Sequence, residues 1–197
     1  MSAFVEVVDE TTIQDRVAQL GAEISADYST NALIVVGILK GSVPFLADLT
    51  RHLPLGIEVD FLSLTRFGRR GRVSIDMDTS LSLYGRDVLI VEDIVDTGLT
   101  LTTLRRMMEV KGARDVRTVA LLDKAARRIV DVPVEYRGFE VGDEFLLGYG
   151  LDWDGKFRNV RSLWGVMDLK KLAEHPGSFS DVVFGATVAP GNVVAAR

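Results

Sequence analysis

The sequence predicts an α/β fold with a mainly parallel central sheet flanked by helices. Two observations carry this expectation: short continuous apolar runs alternate with segments of helical periodicity, and each apolar run ends in a cluster of polar residues. Of the 197 residues, 47% are hydrophobic and 26% charged, which is enough apolar surface for a sizeable core within one domain spanning 1–197.

Taken in order, Thr11 to Ala26 puts Ile13, Val17, Leu20 and Ile24 on one helical face, with Thr11 or Thr12 available as N-cap. Ala32 to Leu39 is an unbroken apolar run, read as a strand, that stops at Lys40-Gly41-Ser42 before a helix over Val43 to Leu53. Ile57 to Leu64 reads as the next strand. From Thr65 to Leu83 the pattern dissolves into Arg66-Phe67-Gly68-Arg69-Arg70-Gly71-Arg72 and then Asp76-Met77-Asp78-Thr79-Ser80. Such a stretch inside a domain is expected to be a mobile loop over a site, with an exposed hairpin as the alternative. Asp87 to Val91 is a short buried strand, followed by an acidic loop and a helix from Thr100 to Lys111 that ends at Gly112. Val116 to Leu122 forms a further strand. The segment 174–197 is a Gly-, Pro- and Ala-containing extension whose role the sequence leaves open.

Composition narrows the function classes. A net charge of −5 and a pI near 5.1 argue against broad attraction to nucleic acid, so no nucleic-acid partner is expected. With no cysteine there is neither a disulfide framework nor a thiolate nucleophile, which suits the cytoplasm. The N-terminus lacks a basic start followed by an apolar core, and no apolar run approaches the roughly 18 to 20 residues of a membrane span. A soluble, unprocessed chain is expected, with no membrane partner.

In parallel sheets ligands gather beyond the carboxyl ends of the strands, so the turns after Leu39, Val91 and Leu122 are the places to search. The second turn is the most informative: Glu92-Asp93-Ile94-Val95-Asp96-Thr97-Gly98-Leu99-Thr100. Backbone N–H groups entering a helix, helped by the Thr97 and Thr100 hydroxyls, form a cup for a monophosphate, and Gly98 permits close approach. Glu92 and Asp93 would repel that phosphate unless they bind something else, and vicinal ribose hydroxyls with a hydrated Mg2+ nearby are suitable. Simple helix capping by Asp96 or Thr97 is the bland alternative. No Gly-x-x-x-x-Gly-Lys-Ser/Thr or Gly-x-Gly-x-x-Gly motif supports a nucleoside triphosphate or dinucleotide site.

The run Val88 to Thr100 resembles the signature by which type I phosphoribosyltransferases bind 5-phosphoribosyl 1-pyrophosphate, and its Asp96 variant is similar to the hypoxanthine-guanine branch. The resemblance extends from about Ala32 to Asp168 and implies a small hood built from the terminal segments. It also implies that Leu39-Lys40-Gly41 carries a non-proline cis peptide presenting backbone groups to pyrophosphate. Lys124 would donate to the 6-oxygen of a purine, Phe145 would stack on the base, and the Leu146 backbone would read its edge. Asp152 would hold Mg2+, as Glu92 and Asp93 would, and Arg158 would clamp pyrophosphate. Asp96 would take the N7 proton as N9 attacks the sugar.

The implied activity is transfer of a phosphoribosyl group to hypoxanthine and/or guanine by a homodimer or homotetramer. Where the family's mobile loop has a Ser-Tyr pair, this chain has Arg66-Phe67. A xanthine-preferring enzyme and an RNA-binding pyrimidine regulator of the same fold are the alternatives, the latter disfavoured by the acidity and by the Asp96 and Lys124 combination.

Overall fold

A computed structural model of the chain describes residues 2–28, 33–54, 56–67 and 72–185, apart from the side chains at 66, 67, 72 and 73. The expected parallel sheet is present with six strands: β2 (Leu33–Leu39), β3 (Glu58–Phe67), β4 (Arg72–Met77), β5 (Asp87–Val95), β6 (Asp115–Asp123) and β7 (Tyr136–Glu140). Their spatial order is β4-β3-β2-β5-β6-β7, parallel throughout except for β4, which runs antiparallel to β3.

The central strands are buried on both faces, which explains their unbroken apolar runs. Alternate residues feed two cores. Leu33, Val35, Leu89, Val91, Val119 and Leu121 face helices α1 (Glu10–Asp27) and α2 (Val43–Arg51). Ile34, Val36, Val88, Ile90, Val116 and Ala120 face α3 (Leu99–Val110). Helix α1 follows the expected period through Ile13, Val17, Leu20 and Ile24, but its N-cap is Asp9, whose carboxylate accepts the Thr12 N–H at 2.8 Å. Asp9 reaches the first-turn donors because its backbone is still extended there, so neither Thr11 nor Thr12 fills that place.

A second sheet lies over the carboxyl end of the first. It joins β1 (Phe4–Val8), β9 (Leu163–Val166) and β8 (Phe145–Leu147) in the order β1-β9-β8, all antiparallel. Helices α4 (Leu169–Glu174) and α5 (Gly177–Val183) complete this hood, where Leu172 and Phe179 are fully buried beside Phe4, Leu147 and Val166. The segment at 174–185 therefore contributes to a core.

Two boundaries differ from the sequence reading. Strand β5 runs on to Val95, because Glu92, Ile94 and Val95 pair with Ala120, Leu122 and Asp123 of β6, so half of the acidic loop is strand. Within 65–83, residues 65–67 and 72–77 form the arms of an antiparallel hairpin with register Thr65↔Ser74. The reading of Arg66-Phe67 concerns side chains outside the described set. Among the described residues, no helix is long and apolar enough to cross a membrane.

Candidate active site

The site begins where β5 and β6 end side by side. Val95 stands opposite Asp123, and the backbone N–H of Lys124 donates to the Val95 carbonyl at 2.9 Å, so Asp96 and Lys124 are the first residues past the two strand ends. Below them a buried scaffold fixes the turn. Arg128 donates through Nη1 to the Asp96 carbonyl at 2.5 Å and through Nη2 to the buried Asp123 carboxylate, which also pairs with Arg137 at 3.4 Å. The Ile129 and Val130 N–H groups donate to the Thr97 carbonyl at 3.0 and 3.2 Å.

Helix α3 is N-capped by Gly98, in left-handed conformation with φ +85°, so neither Asp96 nor Thr97 occupies the cap position. A Cβ at Gly98 would sit 2.7 Å from the Val130 carbonyl oxygen, so only glycine fits. In front of this turn lies a cavity of about 230 Å3 bordered by Glu92, Val95, Asp96, Thr97, Gly98, Thr100 and Leu101, a cup with the hydroxyls and helix entry an oxyanion needs. The Leu99 side chain is exposed and does not border the cup, leaving its backbone as its possible contribution.

A second cavity of about 500 Å3 adjoins the first, sharing Ile94 and Asp96 as lining residues. It brings together Asp93, Lys124, Phe145, Leu146 and Asp152, and adds four residues the sequence reading did not assign to the site: Arg127, Asp143, Leu151 and Leu169. Lys124 is only 7% exposed, and its ammonium donates to the Glu144 carbonyl at 2.7 Å. Phe145 is half-buried, its ring edge-on to Trp153 at 5.5 Å. Arg127 spans the cavity mouth, its Nε 2.9 Å from Asp96 Oδ1 and its Nη1 2.5 Å from Asp143 Oδ1. The run Arg127-Arg128 just after a strand-end lysine was the available signal, but two arginines in a connecting segment read as solvated surface.

Asp93 links these cavities to the turn after Leu39. Its Oδ1 accepts the Ile94 N–H at 2.8 Å, and burial pushes its carboxyl up to about 6, an effect partly offset by that N–H and by the Arg158 cation. Its other oxygen lies so close to Gly41 that a Cβ there would overlap it. Gly150, at φ +102°, presses on the Gly41 carbonyl oxygen in the same way. The Leu39–Lys40 peptide preceding Gly41 is cis, as the resemblance implied. The exposed Lys40 side chain lines neither cavity.

Arg158 closes the chain of contacts. It donates to the Gly150 carbonyl at 2.6 Å and pairs with Asp152 at 2.7 Å, while the Gly150 N–H donates back to the Arg158 carbonyl at 3.0 Å. Asp152 also accepts the Gly155 N–H at 2.7 Å. Arg158 itself lies behind Asp152 and borders a different surface hollow.

Among the described residues no group of three or more His, Cys, Asp or Glu forms a complete metal cage. The site offers hard oxygen donors singly and in adjacent pairs, which suits an ion that keeps several waters and shares oxygens with a phosphate ligand.

Comparison with known proteins agrees with this arrangement. The phosphoribosyl transferase domain family matches residues 6–154. The chain is 40% identical over 158 residues to a hypoxanthine-guanine phosphoribosyltransferase of Bacillus subtilis, covering 78% of this chain and 88% of that protein. It has the same identity over 158 residues to one of Lactococcus lactis, covering 86% of that protein. A crystal structure of a hypoxanthine-guanine phosphoribosyltransferase from Bacillus anthracis superposes with a TM-score of 0.80 at 36% identity, covering 82% of this chain and 98% of that one. The chain belongs to the phosphoribosyltransferase family, and within it is similar to the hypoxanthine-guanine members.

Proposed function

We propose that the chain transfers the 5-phosphoribosyl group of 5-phosphoribosyl 1-pyrophosphate to N9 of hypoxanthine and/or guanine, giving IMP or GMP and pyrophosphate, as a purine salvage enzyme. The observation that carries this reading is the buried Lys124 ammonium in the same cavity as Asp96 and Phe145. Lysine donates and never accepts, so it matches a 6-oxo group and mismatches the 6-amino group of adenine. Phe145 stacks on the base, and the Leu146 backbone reads the edge bearing its 2-substituent.

The 5-phosphate occupies the cup, held by the backbone from Val95 to Thr100 and by the Thr97 and Thr100 hydroxyls. Glu92 and Asp93 hold the ribose hydroxyls. Asp152, with Glu92 and Asp93 nearby, would hold Mg2+, which neutralises charge on the pyrophosphate oxygens when bound. The Lys40-Gly41 backbone and the Arg158 fork bind the leaving pyrophosphate.

As the C1–O bond loosens, N9 attacks C1 and Asp96 accepts the proton from N7. Asp96 is half-exposed and paired with Arg127, so base entry competes with that ion pair for the carboxylate. Most of the acceleration comes from positioning and leaving-group electrostatics. The paired arms at 65–67 and 72–77 lie on the β4 edge of the sheet, and the 65–83 segment would close over the sugar to exclude water. A cytoplasmic homodimer or homotetramer completes the proposal.

The test is an assay of the purified chain with 5-phosphoribosyl 1-pyrophosphate, Mg2+ and five bases. Turnover of hypoxanthine or guanine with none of adenine is expected. Turnover of xanthine or orotate alone, or of no base, would overturn the assignment.

A further inference from the structure

The segment from Gly148 to Arg158 has an unusual backbone. Three residues other than glycine have positive φ, namely Tyr149 at 45°, Asp154 at 50° and Phe157 at 73°, alongside Gly148, Gly150 and Gly155. A bulky aromatic residue in the left-handed region persists only where its surroundings over-determine it. For Tyr149 the surroundings are plain: the ring is buried and its hydroxyl donates to Asp48 at 2.7 Å.

For Phe157 they come from beyond residue 154, where the family match ends. Its ring stands edge-on to that of Phe179 in α5, with centroids 5.0 Å apart and planes at 86°. Phe179 is fully buried and also meets Phe4 of β1 at 5.0 Å and Trp164 of β9 at 5.9 Å. Through these three contacts α5 braces Phe157 against two adjacent strands of the hood sheet, β1 and β9. The next residue is Arg158, whose guanidinium reaches Gly150 and Asp152.

We infer that α5 is a positioning element for pyrophosphate binding, with Phe179 acting through Phe157 to hold Arg158 and Asp152 in register with the Gly41 turn. This rests on the reading of Asp152 and Arg158 as the pyrophosphate-binding pair. Phe179 touches no substrate. Its removal leaves Phe157 without the ring opposite it, and the backbone relaxes toward negative φ, carrying Arg158 away from Gly150. Asp96 and Lys124 stand just past the ends of β5 and β6, outside the cluster around Phe179, so the hydrogen-bonding groups for the base keep their geometry, while Phe145, which packs on that cluster, costs the base only part of its stacking wall.

The experiment compares wild type with Phe179→Ala and Phe179→Leu in the full chain, measuring KM for 5-phosphoribosyl 1-pyrophosphate, KM for hypoxanthine, and calorimetric binding of magnesium pyrophosphate. For Phe179→Ala, the diphosphate KM and the pyrophosphate Kd should each rise about tenfold or more, and the hypoxanthine KM should stay within about threefold. Phe179→Leu, which keeps apolar volume, should recover most of the loss; if the alanine variant does not fold, the leucine variant decides, with a rise of about threefold in the same two constants. Equal weakening of base and pyrophosphate would mark a general loosening and overturn the inference, as would unchanged pyrophosphate binding in a folded variant. Because that binding is measured without turnover, a wild type that ignored hypoxanthine would sink the substrate assignment and leave this comparison standing.

Discussion

Replacing Asp93 by asparagine removes a carboxylate that the apo fold holds in a place better suited to a neutral group. Burial raises its pKa from 3.8 to about 6, a little over two units, and at about 1.36 kcal/mol per unit this corresponds to an upper limit of about 3 kcal/mol. The side chain is partly exposed, so screening reduces the figure to about 1–2 kcal/mol. The sign follows from which form the fold prefers. A carboxyl with a raised folded-state pKa contributes stability that is fully present below the unfolded value of 3.8 and lost as pH rises through about 6. Asparagine contributes no such pH dependence and can still accept the Ile94 N–H. Urea unfolding of wild type and Asp93→Asn should therefore show a stability difference that shifts in favour of the variant by about 1–2 kcal/mol between pH 4 and pH 7.5, because other titrations cancel between the two chains. Transferase activity should fall at the same time, since the charge that costs stability is the one proposed above to hold ribose and metal. A difference that stayed flat with pH would refute the reasoning.

Four further substitutions probe other parts of the molecule. Asp96→Asn should lower kcat about 100-fold or more with little change in Tm, and near wild-type turnover would remove Asp96 as proton acceptor. Gly150→Ala places a methyl against the Gly41 carbonyl at φ +102°, whereas Gly155→Ala at φ +77° meets nothing within 4 Å. The first should cost more than about 2 kcal/mol and most of the activity, the second about 1 kcal/mol, so similar melting points for the two would contradict the close packing at Gly41. Arg128→Ala leaves the Asp123 carboxylate, 1% exposed, with Arg137 alone. A loss of about 3 kcal/mol is expected, seen as a fall in Tm of roughly 6–12 °C, and a change below about 2 °C would show that Arg137 suffices.

The parts of this molecule that are legible in its sequence are those where a single interaction dominates. The strand ending at Leu39 and the helix carrying Ile13, Val17, Leu20 and Ile24 each bury an apolar pattern, and both lie where their periodicity put them to within a residue or two. Polar composition misled the reading at Glu92 to Val95, because backbone pairing to β6 continues after the apolar side chains stop. The hood was harder to see. Strand β1 joins Phe4 to Val166 across most of the chain, and strands of three to five residues carry too little pattern to announce such a partner. Among the site residues, Lys124 and Phe145 share the cavity their motifs suggested. Arg127 and Leu169 escaped notice, because a cavity wall assembled from a connecting turn and a helix start has no local spacing of its own.

The register Val95↔Asp123 makes the sheet a ruler. Asp96 and Lys124 each follow a paired strand end, so their backbones are held about one interstrand spacing apart, roughly 4.8 Å. In a 6-oxopurine, N7 and the 6-oxygen share one edge, and on the proposed reading the carboxylate and the ammonium that meet them are spaced by the hydrogen-bond lattice itself. A gauge of this kind does not drift when surrounding side chains repack. Drift in base preference must then come from shortening or lengthening the side chains at these two positions. Insertion of one residue into either strand end would turn its reader to the opposite face and erase the measurement altogether.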